Sequence, residues 1–198
     1  MKRTLVIHPK DSSTDFLSKI YQNKGWNVCT FWPDNRDSFK EYIKLYDRII
    51  MLGHGTPDGL LNINDFYTIE KQEILSENVN SFLVIDWSFA DILQQKETVT
   101  IWCNSDQFAK RYKLPGLHTG MIISEVHEAK FSIGCAPLNA AETLDNMNLF
   151  AEVVGRHIDN ENLIEMQKLI REQYNGDDAV SDFNRKNIII LDENGLNI

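Results

Sequence analysis

No stretch of this sequence approaches the ~20 consecutive apolar residues that a bilayer-spanning helix needs. The opening Met1-Lys2-Arg3-Thr4-Leu5-Val6-Ile7-His8 turns polar too soon for the apolar region of a secretory signal. Basic residues are also few, with 20 Lys and Arg against 29 Asp and Glu, for a net charge of −9. They occur singly or in pairs such as Lys110-Arg111 and Arg185-Lys186. Without a basic stripe the chain lacks the electrostatic footprint of a nucleic-acid binder. Its acidic balance also disfavours anionic membrane surfaces. The 3 cysteines have no regular spacing, so no disulfide framework is encoded. A reducing, cytoplasmic compartment is expected, in which a free thiol stays available. Glycine and proline are sparse, at 10 and 5, which excludes collagen-like and disordered low-complexity classes. There is no Gly-x-Gly-x-x-Gly or phosphate-loop motif, so no dinucleotide or P-loop chemistry and no cofactor is expected.

What remains is a globular pattern. The 198 residues, 42% hydrophobic, suit one domain spanning 1–198 with its own core. Short apolar runs predict strands at 4–8, 26–32, 48–52, 98–103, 120–124 and 187–191. Residues at helical spacing predict helices at 15–24, from 37 or 38 onward, and at 81–95, 107–112, 140–157 and 161–174. Asp58-Gly59 before Leu60-Leu61-Asn62 reads as a small hairpin or an extended excursion, and the stretch 66–79 carries no clear period. The run Arg48-Ile49-Ile50-Met51-Leu52 is almost uniformly apolar, and a continuously apolar run marks a parallel strand covered on both faces. Strands alternating with helices predict an α/β fold, a mostly parallel central sheet between two helical layers in a three-layer α/β/α sandwich.

In such sheets ligands bind outside the carboxyl ends of the strands. The third strand ends in Gly53-His54-Gly55 and the fourth in Cys103-Asn104-Ser105. If the two strands are neighbours, ~4.8 Å apart, an imidazole and a thiol meet across one crevice. His54 is then the base for a Cys103 nucleophile. The short helix after Cys103, capped from Asn104, Ser105 or Asp106, is expected to favour the thiolate. The backbone N–H groups of Gly55 and Cys103 are candidates to hold an oxyanion.

An apolar strand followed by His-Gly and, about fifty residues later, an apolar strand followed by Cys resembles the caspase-like cysteine peptidases, which include legumain, separase and gingipain. The resemblance spans about residues 4–124. It implies the caspase-like form of the α/β sandwich, nucleophilic acyl transfer by His54 and Cys103, and a peptide or protein substrate. The chain has Ile101-Trp102-Cys103-Asn104-Ser105 where a caspase shows Gln-Ala-Cys-(Arg, Gln or Gly)-Gly, with bulky Trp102 in place of a small residue. Two other readings stand beside this one. The first is a non-catalytic caspase-like sensor or interaction domain. The second is a flavodoxin-like small-molecule binding domain, whose crevice would lie at Asp11-Ser12-Ser13-Thr14, with His54 sitting away from Cys103.

Other chemistry-bearing residues read as structural. Cys29 falls inside the second strand and Cys135 in a loop. His118 and His127 flank the fifth predicted strand at no known zinc spacing, so surface or loop roles and no metal site are expected. His157 suits a helix C-terminus. Asp86 reads as a solvated helical residue, and Asn175-Gly176-Asp177-Asp178 as a solvated turn. His8 ends the first strand at the functional edge without a flanking signature.

Overall fold

A computed structural model describes residues 2–30, 35–62, 83–134 and 139–198. The expectations for Trp32, for the turn at 33–34, for 66–79 and for Cys135 lie outside these residues. The chain is mixed α/β. Its main sheet has six strands, β1 (Thr4–Ile7), β2 (Asn27–Cys29), β3 (Arg48–Leu52), β7 (Glu97–Ile101), β8 (Gly116–Thr119) and β9 (Ile188–Leu191). They lie in the order β2-β1-β3-β7-β8-β9. All neighbours are parallel except β8 and β9, which are antiparallel. A second, three-stranded antiparallel sheet joins β4 (Gly55–Thr56), β5 (Gly59–Leu61) and β6 (Leu83–Ile85). Of the hairpin and the extended excursion that Asp58-Gly59 allows, the β4–β5 pair is the hairpin.

The two-residue period of the strands sorts their side chains into two apolar clusters. Val6, Ile50, Leu52, Val99, Ile101 and Ile190 enter one cluster. There they meet Met147, Phe150 and Val154 of the long helix α5 (Ala140–His157) and Met166 and Ile170 of α6 (Leu163–Gln173). Leu5, Ile7, Ile49, Met51 and Leu191 enter the other. This one is closed by Phe39 and Ile43 of α1 (Arg36–Lys44), Leu93 of α2 (Ala90–Leu93) and Phe108 of α3 (Ser105–Tyr112). All five residues of β3 are buried; its apolar run predicts this for Ile49 to Leu52, and the charged Arg48 is buried with them.

Local chemistry sets the helix boundaries. Asn35 Oδ1 accepts the Asp37 and Ser38 amides and starts α1. Asn139 and Glu142 form a reciprocal capping box that starts α5 at the expected residue. Between them, α4 (Val126–Ile133) begins with a similar box from Glu125 and Glu128. The last helix, α7 (Ala179–Lys186), is capped by Asp178. The segment Asp15–Ile20 is a 3-10 helix, shorter than the helix expected at 15–24.

Two expectations are corrected. The fifth strand of the main sheet is Gly116–Thr119, and the apolar Met121-Ile122-Ile123 that suggested 120–124 forms irregular chain beyond it. The true strand is disguised by His118 and Thr119, whose polar atoms are bonded internally. The helix expected over 81–95 is instead β6, a 3-10 turn at Trp87–Phe89 and α2. Asp86 ends the strand by accepting the Ser88 amide at 2.9 Å. It is buried rather than solvated, 2.7 Å from an Arg36 guanidinium nitrogen. Among the described residues no helix is long and apolar enough to cross a membrane.

Candidate functional site

The third strand and the strand before Cys103 are hydrogen-bonded neighbours, with Leu52 opposite Ile101. The Gly53 N–H extends the pairing by donating to the Ile101 carbonyl at 3.1 Å. His54 and Cys103 each stand two residues beyond this matched pair, so two loops leave the sheet at one level. Gly53 has φ +139°, a backbone state that side chains resist. Gly55 serves a different need. A Cβ there would fall 2.1 Å from Cδ1 of Trp102. That indole is buried, and its Nε1–H donates to the Thr56 carbonyl at 3.0 Å. Trp102 therefore packs beneath the Gly55 loop and fixes the two strand ends against each other.

The loop after the first strand delivers a third group, one that the sequence alone does not tie to His54. His54 Nε2 lies 2.7 Å from Ser13 Oγ and 3.1 Å from Asp11 Oδ2. The other carboxylate oxygen, Asp11 Oδ1, collects the amides of Ser13 and Thr14 at 2.9 Å and the Ser13 hydroxyl at 2.8 Å. Because Ser13 Oγ donates to Asp11, it accepts from His54, which places the ring proton on Nε2 and makes Nδ1 the basic nitrogen. Burial of Asp11 pushes its pKa up. The bonds from His54 and Ser13 outweigh it and hold the carboxyl well below the usual carboxylate range. The signal in the sequence is the tetrad Asp11-Ser12-Ser13-Thr14 directly after a strand, which on its own reads as a binding loop with no link to His54.

Cys103 is half-buried, and its Sγ–H donates to the Ile122 carbonyl at 3.6 Å. Burial pushes the thiol up to about 11, and the charge of Glu128 adds to the rise. The helix behind it does not act as expected. Asn104 takes a left-handed φ of 65° and makes no side-chain cap. Ser105 Oγ turns inward, 2.9 Å from the Thr100 and Thr119 carbonyls. Asp106 pairs with Lys110 at 2.6 Å. Desolvation, not the helix end, sets the resting state of the sulfur. His54 and Cys103 line one cavity of about 30 Å³, together with Thr14, Gly53, Ile122 and Ser124. That is about the room of one water molecule.

For the oxyanion candidates, the Leu61 N–H donates to the His54 carbonyl at 2.9 Å. Alternation along the antiparallel ladder then turns the Gly55 N–H away from β5. Cys103 carries its own N–H on the adjoining loop.

The remaining candidates separate from this edge. His118 is fully buried in β8, not in a loop. Its Nε2 donates to the Leu114 carbonyl at 3.0 Å, Nδ1 lies 2.7 Å from Thr100 Oγ1, and burial lowers its pKa to about 3. His8 is buried against Tyr21, whose hydroxyl is 3.1 Å from Nδ1, and burial lowers it to about 4. His127 is exposed and sits 3.0 Å from Glu125. Cys29 is half-buried at the end of β2, His157 closes α5, and Asp178 serves as a helix cap. Among the described residues no group of three or more His, Cys, Asp or Glu side chains is placed to hold a metal ion.

Compared with protein-family models, with curated proteins and with solved structures, the chain matches none.

Proposed function

We propose that this chain is a cysteine-type hydrolase of the caspase-like kind, a three-layer α/β/α sandwich acting on peptide or protein substrates. The observation that carries the reading is the register of β3 against β7, with His54 and Cys103 at equal height beyond it and lining one cavity. In this reading the Cys103 sulfur attacks a carbonyl carbon while its proton passes to His54 Nδ1. Asp11 and Ser13 hold the ring and stabilise the imidazolium that forms. The Gly55 and Cys103 N–H groups receive the negative oxygen. Collapse of the tetrahedral species breaks the C–N bond, and His54 returns its proton to the leaving amine. Water then cleaves the thioester by the same base. The raised thiol pKa means that proton transfer accompanies attack, in place of a preformed thiolate.

The small cavity and the protonated sulfur support a second reading, a non-catalytic caspase-like sensor or partner domain. The flavodoxin-like alternative is weakened by the Asp11–Thr14 loop itself. Its amides and hydroxyls bond to an internal carboxylate, which occupies donors that an anionic ligand would need.

The test is turnover of fluorogenic peptide amides by the native chain and by Cys103→Ala. Turnover lost in a variant that still unfolds cooperatively at the native midpoint supports the hydrolase. Equal turnover in Cys103→Ala rejects it. A native chain that turns over no peptide, and whose thiol resists iodoacetamide until unfolding, favours the non-catalytic domain.

A further inference from the structure

The cavity at His54 and Cys103, about 30 Å³, has no room for a substrate side chain. A groove of about 560 Å³ adjoins it, within the size range of small-ligand sites. Phe16 and Ser124 line both spaces. Ser13, on the groove wall, is the residue whose hydroxyl lies 2.7 Å from His54 Nε2. A ligand in the groove is thus one side chain away from the candidate base.

The groove has a mixed lining. Ser12, Ser13, Ser124 and Thr143 are polar, and Phe16, Val126, Leu144 and Met147 are apolar. Of these, Ser124 and Phe16 are shared with the small cavity. Leu144 is 54% exposed, while Met147 is fully buried. Exposed leucine beside a roomy apolar wall leaves area that an apolar occupant would remove from water. The charges on the rim do not select an ion of either sign, because Lys130 stands with Glu125, itself 3.0 Å from His127.

We infer that the apolar part of this groove receives an aliphatic side chain, of leucine or methionine size, from a peptide whose backbone meets Ser13 and Ser124. The inference rests on the hydrolase reading and names its substrate class: peptides with a large aliphatic residue beside the scissile bond.

The probe is acetyl-Ala-Leu-Ala-methylamide, with Asp or Lys replacing Leu in two companions. Each is titrated into Cys103→Ala protein carrying ¹³C-methyl methionine. The Leu peptide is expected to shift the Met147 methyl resonance and to bind roughly tenfold tighter than either companion. Leu144→Glu, at an exposed position, is expected to weaken that binding roughly tenfold and leave the unfolding midpoint unchanged. No Met147 shift with any peptide overturns the groove. Native-chain hydrolysis of matching fluorogenic substrates, measured in parallel, separates the two ideas. Binding of the Leu peptide without hydrolysis keeps the groove and rejects the hydrolase. Hydrolysis indifferent to the side chain and to Leu144→Glu keeps the hydrolase and rejects the groove.

Discussion

Asp11 commits one carboxylate oxygen to its own loop and leaves the other facing His54. Asp11→Asn keeps an acceptor for the Ser13 and Thr14 amides but loses the charge that stabilises an imidazolium. In the hydrolase reading kcat is therefore expected to fall on the order of a hundredfold or more, with the fold intact. Steady-state kinetics with a parallel unfolding curve checks this. Gly55→Ala tests packing instead. Its new methyl meets the Trp102 indole, so a loss of about 1–3 kcal/mol is expected in urea unfolding. The loss should shrink when Trp102→Leu is already present, the signature of two residues in contact. These two positions also mark how far the site was legible. His54 and Cys103 were visible because each ends an apolar run. Asp11 was visible only as part of a hydroxyl-rich loop, since nothing in one sequence tells which loops of a sheet edge touch. The small-to-large balance of Gly55 and Trp102 was equally hidden. In the sequence the tryptophan was only a departure from a familiar pattern, and its packing against Gly55 explains why a bulky residue stands before this cysteine.

Among whole elements, those with a strong single signal matched expectation, namely β3 by its almost uniformly apolar run and α5 by its helical spacing. Elements whose polar residues are satisfied by partners far along the chain did not. β8 carries His118 and Thr119, whose bonds come from Thr100, Leu114 and Trp102, and so it reads as loop. Leu83-Val84-Ile85 suits a helix or a strand equally until Asp86 is seen to cap the next turn. The antiparallel direction of β9 is a property of its connection, not of its composition. Helix α5 also presses on the 3-10 helix Asp15–Ile20 through Gly155. A Cβ there would come 3.0 Å from backbone atoms of Ile20 and Lys19. Backbone cannot swing aside as a side-chain tip can. Gly155→Val is therefore expected to cost about 1–3 kcal/mol despite valine's better helix propensity. The urea midpoint reads the loss, and limited proteolysis should place new cleavage within residues 11–20.

Over the whole molecule, acid sensitivity follows from two neutral histidines. Burial depresses His8 to about 4 and His118 to about 3, while both sit near ~6.5 in an unfolded chain. Above that value neither state binds the proton and these residues leave stability unchanged. Below it the unfolded chain takes up protons that the folded chain refuses, so stability falls as pH drops toward 4. The slope is up to about 1.4 kcal/mol per pH unit for each histidine. Asp11 acts only lower, below its unfolded value near ~3.9, where protonation of the unfolded chain begins to remove its contribution. Urea midpoints at pH 7, 5.5 and 4.5 check the histidine window, and a flat profile there rejects it.

The strand that closes the sheet is Ile188–Leu191, and its partner is Gly116–Thr119. Just outside this pair the Asn187 carbonyl takes the Gly120 N–H at 2.9 Å, and the Gly120 carbonyl takes the Asn104 N–H at 3.0 Å. A short relay of backbone bonds thus runs from β9 to the residue after Cys103. On a ribosome, residues near 120 emerge long before those near 190, so the cysteine loop leaves the tunnel without the strand that anchors it. Nascent chains of this protein should pass through a stage in which most of the sheet is paired while the loop that carries Cys103 still lacks this anchor. Slowed amide exchange at Asn104 and Gly120 would then report the moment synthesis reaches Ile188–Leu191.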